Sequence, residues 1–261
     1  MIPLKSICLL PLLGVLFLPA CQYKAELKAE KDIQTKKRDD ASAYNIQLGM
    51  GYLKQGDSPR AKRKFLTALQ QAPDSPDVNG AIAYYFEKTG DITEAKKYYH
   101  KAMSLAPTSG SQLNNYGTFL CRTGQFAQSE VYFLKAVKDE KYVNTAGAYE
   151  NAGLCAEAIP DYAKAETYFL KALEQDSRRS QSLYELASIE IKQNQEEKAL
   201  DYLQKHQDLV LGDQVLLGLA LETAHKAGKT DLEAMYRVRI ASFKDLTGNA
   251  GEKNEYNSNN G

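Results

Sequence analysis

The stretch that decides the fold is residues 49–73, GMGYLKQGDSPRAKRKFLTALQQAP. Small and aromatic residues recur in it at fixed intervals before a closing proline, in the order Gly49, Tyr52, Ala61, Phe65, Ala68 and Pro73. The same slots return 34 residues later, in residues 83–107, as Ala83, Phe86, Ala95, Tyr99, Ala102 and Pro107. Two matches over six slots indicate a repeated structural unit.

The period continues along the chain. A further shift of 34 gives Gly117, Leu120, Ser129, Phe133 and Ala136, and after a two-residue insertion come Gly153, Ala156, Ala165, Phe169 and Ala172. Two degenerate sets follow, first Ala187, Ala199 and Leu203, then Ala234, Val238 and Ala241. This pattern is typical of tetratricopeptide repeats. We therefore predict an all-α fold, a right-handed tetratricopeptide-repeat superhelix (α-solenoid) of about six helix-turn-helix repeats over residues 42–247.

The spacing has a physical cause. The small residues permit close approach of the two helix backbones of a repeat, and the aromatic residues fill the space between one repeat and the next. Proline cannot continue a helix, so Pro73 and Pro107 mark repeat ends. Glycine favours the backbone conformation that ends a helix, which explains the pairs Gly56-Asp57 and Gly90-Asp91 and the matching Gly124.

The first twenty residues are typical of a secretory signal. Lys5 precedes an apolar run over residues 7–18 that is too short to span a bilayer comfortably, and small Ala20 precedes Cys21. The segment Leu18-Pro19-Ala20-Cys21 resembles the bacterial lipobox, which implies cleavage before Cys21 and acylation of that residue. Gln22 in place of Asp then implies the outer membrane of a Gram-negative cell, with the chain facing the periplasm. An ordinary signal peptide with an incidental cysteine is the alternative.

The two ends of the mature chain are expected to lie outside the repeats. Residues 21–41 form a charged tether between lipid and fold, solvated or a frayed helix, since residues 22–42 carry six basic and five acidic residues. The basic run at residues 36–38 could touch anionic head groups, but Asp39 and Asp40 cancel its charge and favour a solvated linker. Residues 248–261 have no apolar period and are predicted to be disordered.

Composition and motifs argue against catalysis and nucleic-acid binding. The chain has 33 Lys and Arg against 33 Asp and Glu, and only three histidines. It contains no HExxH, Gly-x-Ser-x-Gly or calcium-binding loop motif. Gly228-Lys229-Thr230 looks like the end of a phosphate loop, but Thr223 occupies the required glycine slot and a repeat turn explains the triplet. We expect no enzyme, metal, cofactor or small-molecule substrate.

The first helices of repeats of this kind line a concave groove that holds protein partners. In the first repeat, Tyr52 and Leu48 are expected to face inward, so Ile46, Met50 and Leu53 fall on the opposite stripe. Tyr84 takes the Met50 slot in the second repeat. An apolar stripe in a groove favours docking of a partner helix or extended apolar segment. The alternative is that residues 22–42 of the chain itself, or a preceding helix, cover it.

After removal of the signal, two cysteines remain that could form a disulfide. Cys8 leaves with the signal and Cys21 takes lipid, which leaves Cys121 and Cys155 late in the first helices of repeats three and four. Neighbouring first helices stack side by side, and the periplasm is oxidising, so we predict a disulfide between them. Two buried, reduced thiols are the alternative.

The segments around these cysteines are more distinctive than the repeat itself. Residues 114–121, NNYGTFLC, and residues 150–155, ENAGLC, resemble the paired signatures of the pilotin-like lipoproteins of type IV pilus biogenesis and stability. The resemblance implies a monomeric outer-membrane scaffold that binds subunits of the secretin, the pore through which the pilus passes, and promotes their assembly or localisation, with twitching motility as an indirect consequence. The alternative is a periplasmic adaptor for another envelope machine, such as cell-wall hydrolases.

Overall fold

A computed structural model describes the backbone of residues 18–255, and the side chains of residue 24 and of residues 26–243. Within residues 18–255 every regular element is a helix. The contacts divide the chain into an N-terminal unit that ends at Leu105 and a C-terminal unit that begins at Ala106. The predicted signal segment lies outside the described residues, except for the last three of its twenty residues.

The N-terminal unit contains four helices: α1 (Leu18–Lys54), α2 (Ser58–Gln71), α3 (Pro76–Lys88) and α4 (Ile92–Leu105). The C-terminal unit contains nine within the described residues: α5 (Gly110–Arg122), α6 (Phe126–Ala136), α7 (Thr145–Glu157), α8 (Tyr162–Gln175), α9 (Ser180–Lys192), α10 (Glu196–Lys205), α11 (Gln207–Gly212), α12 (Gln214–Lys226) and α13 (Thr230–Glu255).

Successive helices pack as pairs, which is the arrangement that the 34-residue period predicts. The pairs are α1 with α2, α3 with α4, α5 with α6, α7 with α8, α9 with α10, and α12 with α13. Six pairs in residues 18–255 confirm the predicted all-α fold of about six tetratricopeptide repeats. The short helix α11 stands between the fifth and sixth pairs and has no counterpart in the others.

The Gly-Asp pairs form the turn within each of the first two repeats. Gly56 has φ +79° and Gly90 has φ +86°, a left-handed conformation that a residue with a Cβ rarely adopts. The aspartate that follows then caps the second helix, since Asp57 Oδ1 accepts from the Arg60 amide at 3.0 Å. Gly228 has φ +66° in the corresponding turn between α12 and α13, so the Gly228-Lys229-Thr230 triplet is a repeat turn.

The repeated small and aromatic slots meet inside the first, third and fourth pairs. Phe65, Phe133 and Phe169 are each at most 1% exposed. A Cβ built on Gly49 would lie 2.9 Å from the Phe65 ring, and one on Gly153 would lie 2.6 Å from the Phe169 ring, closer than ordinary carbon contacts. The glycine on the first helix therefore permits the close approach of the aromatic residue on the second.

The register predicted for the sixth repeat is wrong. Ala234, Val238 and Ala241 are exposed, Val238 by 72%, whereas Tyr236 is fully buried. Leu232, Met235 and Ile240 pack beside Tyr236 against the core. Because α11 is inserted ahead of the sixth pair, the spacing of the earlier repeats does not fix which face of α13 is buried.

Both segments predicted to flank the repeats continue a helix. The tether, residues 21–41, belongs to α1, and residues 26–40 are all exposed. Helix α13 extends to Glu255, so residues 248–255 differ from the predicted disorder, while residues 256–261 lie outside the described residues. Extending an existing helix needs no new nucleus, and neither segment has a proline beyond Pro19 to interrupt it.

Candidate functional site

Met50 is the member of the predicted stripe with the most exposed side chain, and Tyr84 holds the equivalent slot in the next repeat. Met50 on α1 is 37% exposed, and Tyr84 on α3 is half-buried. They hold the same slot on consecutive first helices, and α1 contacts α3. Lys88 Nζ lies 5.5 Å from the centre of the Tyr84 ring, so a cation covers part of that ring. The result is a small apolar surface with a basic edge.

Ile46 and Leu53 contribute to the core of the N-terminal unit instead. Both are half-buried and pack against a core cluster that includes Phe65 on α2 and Ile82 on α3. The expectation that they lie opposite Tyr52 fails because α1 contacts both α2 and α3. Two neighbours bury a wider arc of the helix than the single stripe that the periodicity of one helix indicates.

The N-terminal segment does not fold back over Met50. Helix α1 is continuous from Leu18 to Lys54, so residues 22–42 extend along its axis away from Met50. Residues 26–40 are exposed throughout. Residues 22–42 therefore do not cover the stripe.

The cysteine pair joins α5 to α7. The structure links Cys121 and Cys155 by a disulfide, with their Cα atoms 5.8 Å apart. Cys155 is 4% exposed, and the Ser129 hydroxyl lies 2.9 Å from its sulfur. The bond connects the first helices of the third and fourth repeats.

The other residues of the two signatures act at the same junction. Asn151 Nδ2 on α7 donates to Asn114 Oδ1 on α5 at 3.0 Å, which is a second link between these helices. Gly153, two residues after Asn151 on the same helix, packs against the Phe169 ring of α8 within the fourth repeat. In the structure these signature residues fix the packing of repeats three and four, and they do so by interlocking with each other.

Glu150, which begins the second signature, forms a mostly buried ion pair with Arg179. Arg179 Nη2 donates to Glu150 Oε1 at 2.8 Å, and the Ser182 hydroxyl donates to Oε2 at 2.7 Å. The side chains are 13% and 23% exposed for Glu150 and Arg179. Burial acts to raise the pKa of Glu150, but these hydrogen bonds and the positive charge hold it below its usual value. The pair connects α7 to the residue that precedes α9, and Ser182 adds a contact from α9 itself.

A second charged junction involves a lysine on α10. Lys198 Nζ lies 2.7 Å from Glu166 Oε1 on α8 and 3.0 Å from Glu190 Oε1 on α9, and Glu190 is fully buried. Tyr202 donates to Glu166 at 2.7 Å, and burial together with this bond raises the Tyr202 pKa to about 12. Neither charged junction is predictable from the sequence, because helical spacing within one repeat does not indicate which side chains of neighbouring repeats meet.

The remaining predicted site residue is Cys21. Its backbone belongs to α1, but its side chain lies outside the described residues. Among the described helices, none is both long and apolar enough to cross a membrane. The described residues also contain no group of three or more His, Cys, Asp or Glu side chains placed to hold a metal ion.

The repeats match a known family. Residues 46–109, 120–180 and 161–210 match the tetratricopeptide repeat, and together these segments take in more than half of the chain. The chain belongs to the tetratricopeptide repeat family. This assignment agrees with the six helix pairs and with the small and aromatic slots inside them.

Within this family the chain is similar to proteins of type IV pili. Over 52 residues it is 42% identical to the type IV pilus assembly protein PilF of Pseudomonas aeruginosa, and this segment is 20% of the chain and 21% of PilF. The sequence match thus spans about a fifth of that relative's length. A solved structure of Pseudomonas aeruginosa PilF is 28% identical with a TM-score of 0.63, and the match covers 85% of this chain and 99% of that chain.

A second similar structure is that of PilW, described as a widely conserved type IV pilus biogenesis factor. It is 27% identical with a TM-score of 0.62, and the match covers 77% of this chain and 92% of that chain. Both structural similarities extend far beyond the two short signatures, and they agree with the resemblance that the signatures suggested.

Proposed function

We propose that this tetratricopeptide repeat protein acts in type IV pilus biogenesis and stability as an outer-membrane lipoprotein that binds secretin subunits. In this role it promotes assembly or localisation of the secretin and catalyses no reaction. The observation that carries the proposal is the similarity to the PilF structure over 85% of this chain and 99% of that one. The similarity to PilW supports the same role.

The apolar surface at Met50 and Tyr84 is the proposed contact for the partner. Secretin subunits expose apolar surface before they insert into a membrane, and such surface favours burial against another apolar surface. Tethering the repeats to the same membrane raises the effective concentration of the contact near the subunits. A modest contact area at Met50 and Tyr84 is then enough to bind a secretin subunit.

A secretin pull-down with a groove variant tests this role. We expect Met50→Asp combined with Tyr84→Asp to reduce secretin capture and the amount of secretin multimer in cells, because the substitutions place two charges in an apolar contact. The matched control is Val143→Asp, at a valine that is 98% exposed in the C-terminal unit. Normal multimers with the double variant would refute the groove, and capture of cell-wall hydrolases without secretin would favour the adaptor alternative.

Acylation at Cys21 is the proposed anchor. With a lipid at this position, the wild-type protein is expected to stay in the outer-membrane fraction through a high-salt wash, and Cys21→Ala is expected in the soluble periplasmic fraction after the same wash. Several acyl chains on one residue hold stably, whereas the rest of the described chain has no apolar span. Retention of Cys21→Ala in the membrane after a high-salt wash would contradict the anchor.

A further inference from the structure

The charge of the chain is unevenly divided between its two units. Residues 21–105 carry 15 Lys and Arg against 11 Asp and Glu, whereas residues 106–261 carry 17 against 22. The overall balance therefore conceals a basic N-terminal unit and an acidic C-terminal unit. The basic unit is also the one that contains Cys21.

Helix α2 is the most basic element of the N-terminal unit. Its sequence, SPRAKRKFLTALQQ, has four basic residues and no acidic one. The buried residues Ala61, Phe65 and Ala68 face the core, so the helical period places Lys62 and Arg63 toward solvent, and both are exposed. Neither has a carboxylate within ion-pair distance in the part of the chain that the structure describes.

Apolar side chains are interspersed with these charges. Leu66 on α2 is 40% exposed and Ile92 at the start of α4 is 44% exposed. Lys96 on α4 is exposed as well. Lys96 holds the slot of Lys62 one 34-residue period later, so the two lysines point the same way from the second helices of consecutive repeats. We call this set, Lys62, Arg63 and Leu66 of α2 with Ile92 and Lys96 of α4, the outer basic face. Exposed cations with single exposed apolar residues are typical of surfaces that lie on anionic membranes.

We propose that the outer basic face rests on anionic phospholipid of the membrane that carries the anchor. Lipid phosphates would attract the lysines and the arginine, and Leu66 and Ile92 would enter the head-group region. Its location next to the membrane depends on the anchor proposed at Cys21, whereas its affinity for anionic lipid does not.

The length of α1 limits how the outer basic face can contact the membrane. Asn45 Nδ2 donates to Gln71 Oε1 at 3.0 Å, so the end of α2 lies beside residue 45. The helix between Cys21 and Asn45 is about 36 Å long at the usual rise per residue. An upright α1 would hold α2 that far from the lipid, and therefore the contact requires α1 to lie along the membrane surface.

This orientation has a consequence for the partner. The first helices α1 and α3 pack on the core side of α2, opposite to Lys62 and Arg63. Met50 and Tyr84 lie on those first helices, so lipid contact through the outer basic face leaves them turned away from the bilayer. The membrane would then hold the repeats with the apolar contact open to an arriving secretin subunit.

Vesicle co-sedimentation of the unacylated chain tests the proposal. The mature chain with Cys21→Ala is mixed with vesicles of phosphatidylethanolamine containing one quarter phosphatidylglycerol, or one quarter phosphatidylcholine as the neutral control. We expect the chain to bind the anionic vesicles only, and we expect its affinity for them to fall as the salt concentration is raised. Lys62→Glu with Arg63→Glu should lower the affinity by about thirtyfold or more, since each basic residue near a membrane contributes about a fivefold factor and the substitutions also add two negative charges.

Matched variants separate this face from net charge and from secretin binding. Lys138→Glu with Lys205→Glu makes the same charge change at exposed positions of the C-terminal unit and should retain vesicle binding. Met50→Asp with Tyr84→Asp should also retain vesicle binding. The vesicle measurement therefore tests the outer basic face even if the secretin proposal fails. Three results would each overturn the proposal. The chain could bind neutral and anionic vesicles equally, or both charge-reversal variants could lose vesicle binding equally. The chain could also bind polyglutamate but not vesicles.

Discussion

Replacing Gly153 by alanine tests whether the close packing of a first helix on an aromatic residue holds the repeats together. An added Cβ would lie 2.6 Å from Phe169 Cε1 and 2.8 Å from Cδ1. Carbon atoms prefer separations of about 3.5–4.0 Å, so the ring would have to move by roughly 1 Å. Phe169 is fully buried and belongs to the core cluster that contains Leu183 and Leu186, which leaves it little room to move.

Two opposing effects set the magnitude. Alanine favours a helix over glycine by about 1 kcal/mol, which stabilises the variant. Overpacking of a filled core costs about 1–3 kcal/mol, which destabilises it. The sum predicts that Gly153→Ala lowers the free energy of unfolding by about 1 kcal/mol. The control is Gly218→Ala in α12, where a Cβ meets nothing within 4 Å, so only the gain of about 1 kcal/mol applies.

Urea unfolding followed by circular dichroism measures the difference. We expect the two variants to differ by about 2 kcal/mol in opposite directions from wild type, with unchanged dependence on urea. Placing Gly153→Ala in a Phe169→Leu background should make it less damaging, because the smaller side chain leaves room for the Cβ. If Gly153→Ala is as stable as Gly218→Ala, the proposed role of the glycine slot is wrong.

Two further outcomes follow from the junctions between repeats. Cys121→Ser with Cys155→Ser should lower the free energy of unfolding by about 3–4 kcal/mol, because the disulfide closes a loop of 34 residues, and denatured, unreduced wild type should show no free thiol at these positions. Glu150→Gln should cost roughly 2 kcal/mol at pH 7, by loss of hydrogen bonds to a charge. Because the folded-state pKa of Glu150 is lowered, its contribution is present above the unfolded-state pKa near 4.5 and is lost as pH falls through the folded-state pKa. The stability gap between wild type and Glu150→Gln should therefore close on acidification. The control is Glu174→Gln at an exposed position, which should change the free energy of unfolding little at pH 7.

The two signatures show how far the sequence leads to the site. Their spacing predicts that Cys121 and Cys155 lie on neighbouring first helices, and the structure joins them there by a disulfide. The link between Asn114 and Asn151 is not predictable in the same way, since many side chains occupy such positions without meeting. The basic character of α2 is visible in the sequence, but its outward direction follows only from the burial of Ala61 and Phe65.

The sequence by itself determined the pairs of helices that make the repeats and the turns of the first repeats, because these depend on contacts within one repeat that recur every 34 residues. Gly56 and Gly90 take the left-handed turns that their positions predict, and Phe65 and Phe169 fill the predicted slots. The tertiary structure alone decided which residues of α1 stay open and which face of α13 is buried. A helix packed against two neighbours buries an arc that its own periodicity does not define, and the inserted α11 removes the regular spacing that would have fixed the register of the last pair.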